Sequence, residues 1–164
     1  MKVIIASDHG GFALKKQIIE YLEKVGYPFQ DMGTFDEKSV DYPDIARVAC
    51  EKILEDKGNR GVLVCGTGIG ISIAANRFRG IRAGLVGSDE KSVEVTKFYR
   101  QHNDGNALCL GGRFNSIETV IPIIETYLNT KAEYDRHEKR RTLLDQMGPY
   151  PKGMKGGKDD MEGN

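Results

Sequence analysis

Residues 61–70 read Gly61-Val62-Leu63-Val64-Cys65-Gly66-Thr67-Gly68-Ile69-Gly70, and this stretch decides the fold. Positions 61–65 carry no polar residue and no apolar/polar alternation, the pattern of a short strand covered on both faces. A parallel sheet sandwiched between helices supplies that environment, because its crossover connections lay helices on both sides. The glycine-rich turn leads into residues 71–78, whose apolar spacing predicts a helix. Strand, tight turn and helix in succession make one unit of an α/β domain.

The same alternation extends outward in both directions. Residues 3–6 are apolar and run into Ser7-Asp8-His9 and Gly10-Gly11, and residues 12–25 place Phe12, Leu14, Ile18, Ile19 and Leu22 at helical spacing. Gly26 stands where a helix C-cap belongs. Residues 27–31 predict a second strand ended by Gly33, and residues 42–55 a helix with Asp41 as N-cap and Pro43 in its first turn. Downstream, strands are expected at 81–86 and 107–110. Helices are expected from Ser88 to about residue 99, at 116–128 and, highly charged, at 134–147. Five strands separated by helices, with no hairpin turn, imply a doubly wound, Rossmann-like three-layer α/β sandwich around a five-stranded parallel sheet. That domain spans 1–147. Residues 148–164 are Gly, Lys, Asp and Pro with almost nothing to bury, the composition of a disordered tail unless a neighbouring subunit ties it down.

Composition narrows the function. The 164 residues carry 39% hydrophobic and 29% charged side chains with a formal net charge of zero. No global field favours nucleic acid, so an anion site must come from local clustering. The apolar run at the start is too short for a secretory signal, and no stretch nears the ~20 apolar residues of a bilayer span. Cys50, Cys65 and Cys109 are few, odd in number and without CxxC spacing. They suit a reducing cytoplasm better than a disulfide framework or a zinc site.

In open parallel sheets, ligands bind beyond the carboxyl ends of the strands. Asp8-His9 follows the first strand there, Cys65 with Gly66–Gly70 the third, and Arg113 the fifth. The glycine loop is not a dinucleotide fingerprint, since its spacing is GxGxG rather than GxGxxG. It is not a phosphate loop of the Gly-Lys-Ser/Thr kind, because Gly70 is followed by Ile71-Ser72. A Cys-x5-Arg phosphatase loop would need arginine where Ile71 stands. Two readings remain: a thiol beside backbone N–H groups that suit a phosphate or oxyanion, or a tight turn with a buried cysteine. His102 falls in the polar link Arg100-Gln101-His102-Asn103-Asp104, a usual place for working residues. His137 reads as part of a solvated helix face, and Arg136 and Arg140 share one face at four-residue spacing.

Several segments together resemble the ribose-5-phosphate isomerase B family, within the group that includes galactose-6-phosphate and allose-6-phosphate isomerases. They are SDHGGFALK at 7–15, DYPDIA at 41–46, CGTGIGISIAANR at 65–77, GIRAGL at 80–85, RQHNDGNALCLGGR at 100–113 and the Arg136-His137-x-x-Arg140 element. The resemblance covers nearly all of the chain before the tail. It implies that Cys65 moves the proton between C1 and C2, that His102 opens the furanose ring with Asp8 in support, and that Gly66, Thr67, Gly68, Ile69 and Gly70 form an anion hole. Tyr42 and Asn103 become substrate contacts, and His9, Arg113, Arg136 and Arg140 the phosphate set, with Arg141 adjoining Arg140 as the rival assignment.

The resemblance further implies no metal and no organic cofactor, a phosphorylated pentose as substrate, and a homodimer (possibly a tetramer) whose site is completed across subunits. The expected reaction is ribose 5-phosphate to ribulose 5-phosphate through an enediolate, a step of the pentose phosphate pathway. The six-carbon allose or galactose phosphates are the alternative substrates. Retention of both Cys65 and the His102-Asn103 pair favours the pentose over galactose 6-phosphate. A non-catalytic phosphate- or nucleotide-binding module is the reading from another class, and it needs neither Cys65 nor His102.

Overall fold

The computed structural model describes residues 1–87 and 89–147. The expected tail and Ser88, the expected start of the third long helix, lie outside the described residues. Five strands are present: β1 (Val3–Ser7), β2 (Phe29–Asp31), β3 (Arg60–Cys65), β4 (Ala83–Leu85) and β5 (Ala107–Gly111). They form one parallel sheet in the order β2-β1-β3-β5-β4. Six α-helices intervene or follow: α1 (Phe12–Lys24), α2 (Tyr42–Leu54), α3 (Ile69–Ala75), α4 (Ser92–Asn103), α5 (Ile117–Asn129) and α6 (Arg136–Asp145).

Apart from Ser7 at the end of β1 and Arg60 at the start of β3, the central strands carry no polar residue, because each of their faces meets a helical layer. Val3 and Ile5 of β1, Val62 and Val64 of β3, and Leu108 and Leu110 of β5 pack with α1, α5 and Tyr99 of α4. Ile4, Ala6, Leu63, Cys65, Ala107 and Cys109 point the other way, onto α2 and α3. The period of two therefore splits these short apolar runs between two cores, which is why no polar position interrupts them. This is the three-layer α/β sandwich that the sequence leads one to expect.

Several boundaries differ from expectation. Gly26 has φ +69°, and it donates to Glu23 O while Tyr27 N donates to Leu22 O at 2.8 Å, closing α1 with a Schellman cap as expected. Asp41 does precede α2, but its side chain makes no capping bond; the contact there is Asp44 N to the Asp41 carbonyl, 3.1 Å. Strand β4 is only three residues long, an edge strand paired to β5 alone. Helix α3 starts at Ile69, inside the glycine turn, and α6 is shorter than the charged run that encodes it. The largest change concerns α4. It runs on through His102 and Asn103, so the polar link expected there is in fact the helix's last turn, closed by Asp104 at φ +45°.

Sheet order also fixes where ligands can go. Strands β1 and β3 are neighbours whose following connections diverge, β1 leading outward to β2 and β3 crossing toward β4. This is the topological switch point at which a crevice opens beyond the carboxyl ends.

Candidate active site

Strand β3 ends on Cys65, which lines a cleft of about 260 Å³ at this switch point. The turn after it bends back so that Gly68 N donates to Cys65 Sγ at 3.2 Å. An N–H aimed at sulfur is the partner a thiolate accepts. Gly68 adopts φ +78°, and a Cβ there would stand 2.5 Å from Leu85 Cδ1 and 2.8 Å from the Leu110 carbonyl carbon. Only glycine fits on both counts. Within the same turn Ile69 N donates to Thr67 Oγ1 at 3.2 Å.

Asp8 caps the short 3-10 turn His9–Gly11, its Oδ1 accepting from Gly11 N at 3.0 Å. His9 Nδ1 accepts from Val40 N at 3.3 Å, which leaves Nε2–H as the donor that faces outward from that bond. From β5, Arg113 lays its guanidinium against Gly66: a Cβ on that glycine would lie 3.3 Å from Arg113 Nε. Asp8, His9, Tyr42, Thr67 and Arg113 all line the Cys65 cleft.

The Tyr42 ring rests on Gly70, where an added Cβ would come within 2.8 Å of Tyr42 Cζ. Gly70→Ala should push that half-exposed ring aside. Alanine is the better helix former by about 1 kcal/mol, so melting temperature should hold or rise while KM for the sugar phosphate increases severalfold. A fall in melting temperature with unchanged KM would mean that Tyr42 does not shape the cleft.

His102 lies elsewhere. It lines a second cavity of about 340 Å³ with Asn103, His137, Arg140 and Arg141. Its ring is stacked between Phe98, at 5.1 Å and 25°, and His137, at 4.0 Å and 5°. Arg141 donates to His102 O at 3.0 Å and to Glu133 O at 2.8 Å, and it is only 8% exposed. Its guanidinium is thus engaged in tying α6 to the end of α4, whereas Arg140, in the same cavity lining, makes no such backbone bond among those of the described residues. Arg136 Nε approaches His137 Nε2 at 3.4 Å.

The turn after Asn103 is braced by two further arginines. Arg82 donates to Asn103 O at 2.9 Å and pairs with Asp104 at 3.1 Å and with Asp145 of α6 at 3.3 Å, while Arg100 pairs with Asp104 at 2.8 Å.

The two cavities sit toward opposite ends of strand β5. Cys65 pairs with Gly111 at the carboxyl end of β5. His102 belongs to the helix end that leads into β5 at its amino end, where Asn106 O accepts from Gly61 N. The length of β5 separates them, about 13 Å at 3.3 Å per residue. One chain therefore brings Asp8, His9, Tyr42, residues 65–70 and Arg113 together, and His102, Asn103, Arg136 and Arg140 together. It does not join the two sets, and Asp8 does not reach the His102 of its own chain.

Donor atoms of His102, Glu133 and His137 lie within 4.8 Å of one another, a spacing that metal ligands also show. The two imidazoles are parallel, however, so their lone pairs lie in separate planes rather than converging on one ion, and two arginines flank them. The geometry is that of a stack rather than a chelate. Among the cysteines, burial pushes Cys50 up to about 12 and holds Cys109 far above the ordinary thiol range. Neither lines the Cys65 cleft, and both are inert core residues.

Three structural residues escaped the sequence reading. His137, expected on a solvated face, is 5% exposed and faces α4. Its signal was the four-residue spacing to Arg141, which puts both on one side of α6. Lys15 is 1% exposed and its Nζ donates to both Asp31 oxygens, at 2.6 and 2.7 Å, and to Thr34 O at 2.7 Å. It stands three and seven residues before Ile18 and Leu22, on the inward stripe of α1, and it fastens the loop after β2 beside the Asp8–His9 turn. Arg100, by contrast, could not be told from a surface arginine.

Known proteins of this architecture carry the same elements. A family model described as Ribose/Galactose Isomerase matches residues 3–144. Ribose-5-phosphate isomerase B of Escherichia coli is 39% identical over 139 residues, 85% of this chain and 91% of that one. Among solved structures, a ribose 5-phosphate isomerase from Thermotoga maritima superposes with a TM-score of 0.83 at 42% identity, covering 89% of this chain and 98% of that one. Ribose-5-phosphate isomerase B from Mycoplasma genitalium, solved with bound ribulose 5-phosphate, gives a TM-score of 0.80 at 35% identity over 88% of this chain and 93% of that one.

Proposed function

The chain belongs to the ribose/galactose isomerase family, and from that premise we propose that it interconverts ribose 5-phosphate and ribulose 5-phosphate without metal or organic cofactor. The observation that carries the reading is the Cys65 thiol at a strand end, with the Gly68 N–H on its sulfur, in one cleft with Asp8, His9 and Arg113. That the Mycoplasma relative was solved with ribulose 5-phosphate supports the choice of a pentose.

The chemistry follows from what isomerisation requires. The furanose opens when a proton reaches the ring oxygen and the C1 hydroxyl gives one up; His102 is suited to this, with Asp8 assisting. The Cys65 thiolate then takes the C2 proton of the open aldose. Electrons flow into the C1 carbonyl and leave an enediolate whose charge the backbone N–H groups of 66–70 and the Thr67 hydroxyl receive. Return of the proton from sulfur to C1, with transfer of the hydroxyl proton from O2 to O1, yields the ketose. One carbon is oxidised and its neighbour reduced, so no external redox partner enters. His9, Arg113, Arg136 and Arg140 hold the phosphate, fixing the reacting carbons from a distance.

That mechanism needs Cys65 and His102 within hydrogen-bond reach of adjacent substrate atoms. One chain keeps them about a strand length apart, so the working site is completed by a second copy. This copy lends His102, Asn103, Arg136 and Arg140 to the first copy's Cys65 cleft. Exposed apolar side chains on the loops after β2 and β5, Phe35 at 74% and Phe114 at 72%, offer the surface such a pairing would bury. Initial rates of the purified protein against ribose 5-phosphate, allose 6-phosphate and galactose 6-phosphate test the substrate. A kcat/KM at least about tenfold higher for the pentose supports the assignment, and a preference for either hexose overturns it.

A further inference from the structure

We infer that His137 is a positioning residue: its ring holds the His102 imidazole in plane, and one of its nitrogens accepts from a neighbouring arginine of α6. The role these groups then play rests on the isomerase reading; the arrangement itself does not. Helix α6 turns His137 inward, capped by Asp135, whose carboxylate accepts from His137 N at 2.9 Å. The ring lies 4.0 Å from that of His102 and only 5° from parallel, closer and flatter than the Phe98 contact on the neighbouring turn of α4. His102 Cα belongs to the last turn of a helix, where the backbone frays most readily, so a wall of fixed orientation matters there. Arg141, donating to His102 O from the same side of α6, sets the distance between the two helices.

The nitrogens of His137 point along the helix surface in opposite directions. Arg136 Nε donates toward Nε2 at 3.4 Å, and Arg140 Nη1 stands 3.5 Å from Nδ1. A neutral imidazole accepts at one nitrogen only, so it satisfies one arginine while its N–H faces the other. A protonated ring would offer donors to both and accept from neither. Burial first, then the charge of His102, and then Arg136 and Arg140 favour the neutral form, against the pull of Asp135. Glu133 and Arg141 also face the ring. One guanidinium thereby donates to an uncharged base at the rim of a cavity, and the second stands beside the ring. Among the described residues neither arginine forms an ion pair with a carboxylate that would compete with an incoming phosphate.

The two functions of the ring separate by substitution in the full-length protein. His137→Phe keeps a flat ring and removes the nitrogens; His137→Asn keeps a polar acceptor and removes the ring; His137→Ala removes both. For isomerisation, His137→Phe should hold kcat within about threefold of wild type and raise KM about tenfold, the worth of one hydrogen bond to a charged group. His137→Asn should do the reverse, and His137→Ala should show both losses. Two readouts do not need turnover. The His102 ring-proton resonance should keep its ring-current shift in His137→Phe and lose part of it in the other two. Inorganic phosphate should bind about tenfold more weakly to His137→Phe and His137→Ala than to wild type.

Acid stability gives a further check. A histidine held below its ordinary value stabilises the fold when neutral, and that contribution is lost as pH falls below about 6.5. Wild type should therefore lose melting temperature on acidification more steeply than His137→Phe.

If all three variants match wild type, or if kcat and KM move together in all three with no selective change in the His102 resonance, the positioning role is wrong. Should His137→Ala fail to fold, the Phe and Asn pair decides alone. A wild type that ignores ribose 5-phosphate, yet shows these resonance and phosphate patterns, would refute the substrate and leave this inference standing.

Discussion

Cys65→Ala should remain folded, bind sugar phosphate, and turn over about 10²- to 10⁴-fold more slowly, the span a positioned base contributes. The side chain projects from the end of a central strand into a cleft, and its loss removes a sulfur and little packing. Gly68 N, which donates to that sulfur, loses one weak acceptor in the variant. The decisive readout is hydrogen exchange. With ribulose 5-phosphate in deuterated buffer, wild type should wash deuterium into C1 because the thiol proton exchanges with solvent between abstraction and return. Cys65→Ala should show none of this. His102→Asn, impaired in handling the ring, should still exchange the C1 hydrogen of the open-chain ketose faster than it forms the aldose. Exchange in Cys65→Ala at the wild-type rate would remove the thiol from the mechanism.

Much of this arrangement was legible in the chain. The uninterrupted apolar run at 61–65 could be satisfied only between two helical layers, and Gly26 marked the end of α1 by a conformation other residues rarely adopt. The glycine turn after Cys65 could be read as an N–H-rich loop because its spacing excluded three commoner phosphate motifs. What stayed hidden was tertiary. Residues 100–104 look like a polar link, and 100–103 are helical because Arg82 and Arg100 neutralise the capping Asp104, while Arg82 and Arg141 reach the backbone carbonyls of Asn103 and His102 from distant positions. His137 sits amid charged neighbours, and burial of one face of α6 shows only when α4 is laid beside it. The separation of Cys65 from His102 depends on α4 running antiparallel to the strands it joins, a fact of topology that no local pattern carries.

The second large effect concerns the phosphate. Arg136→Ala with Arg140→Ala should fold normally, since both side chains project from a terminal helix that Arg141 and the Arg82–Asp145 pair hold in place. Each removes a charge-assisted bond to a dianion, about 10- to 10²-fold in kcat/KM apiece, and most of the loss should appear in KM. Truncating Arg141 instead should lower melting temperature first, because it leaves the His102 and Glu133 carbonyls without their donor. A double variant with unchanged KM would place the phosphate elsewhere, on His9 and Arg113 alone.

These two variants together test the central claim, that a site made of Cys65 from one copy and His102 with its arginines from another performs the isomerisation. The Cys65→Ala protein and the Arg136→Ala/Arg140→Ala protein should each be nearly inactive at substrate concentrations below the wild-type KM. Mixed and allowed to exchange subunits, they form dimers of which half are mixed, and each mixed dimer holds one doubly defective site and one intact site. Ribose 5-phosphate isomerisation should then return to about a quarter of the wild-type rate, as two-fold symmetry requires. If exchange is verified by mass and the mixture stays inactive, Cys65 and the arginines act within a single chain and the shared site is wrong.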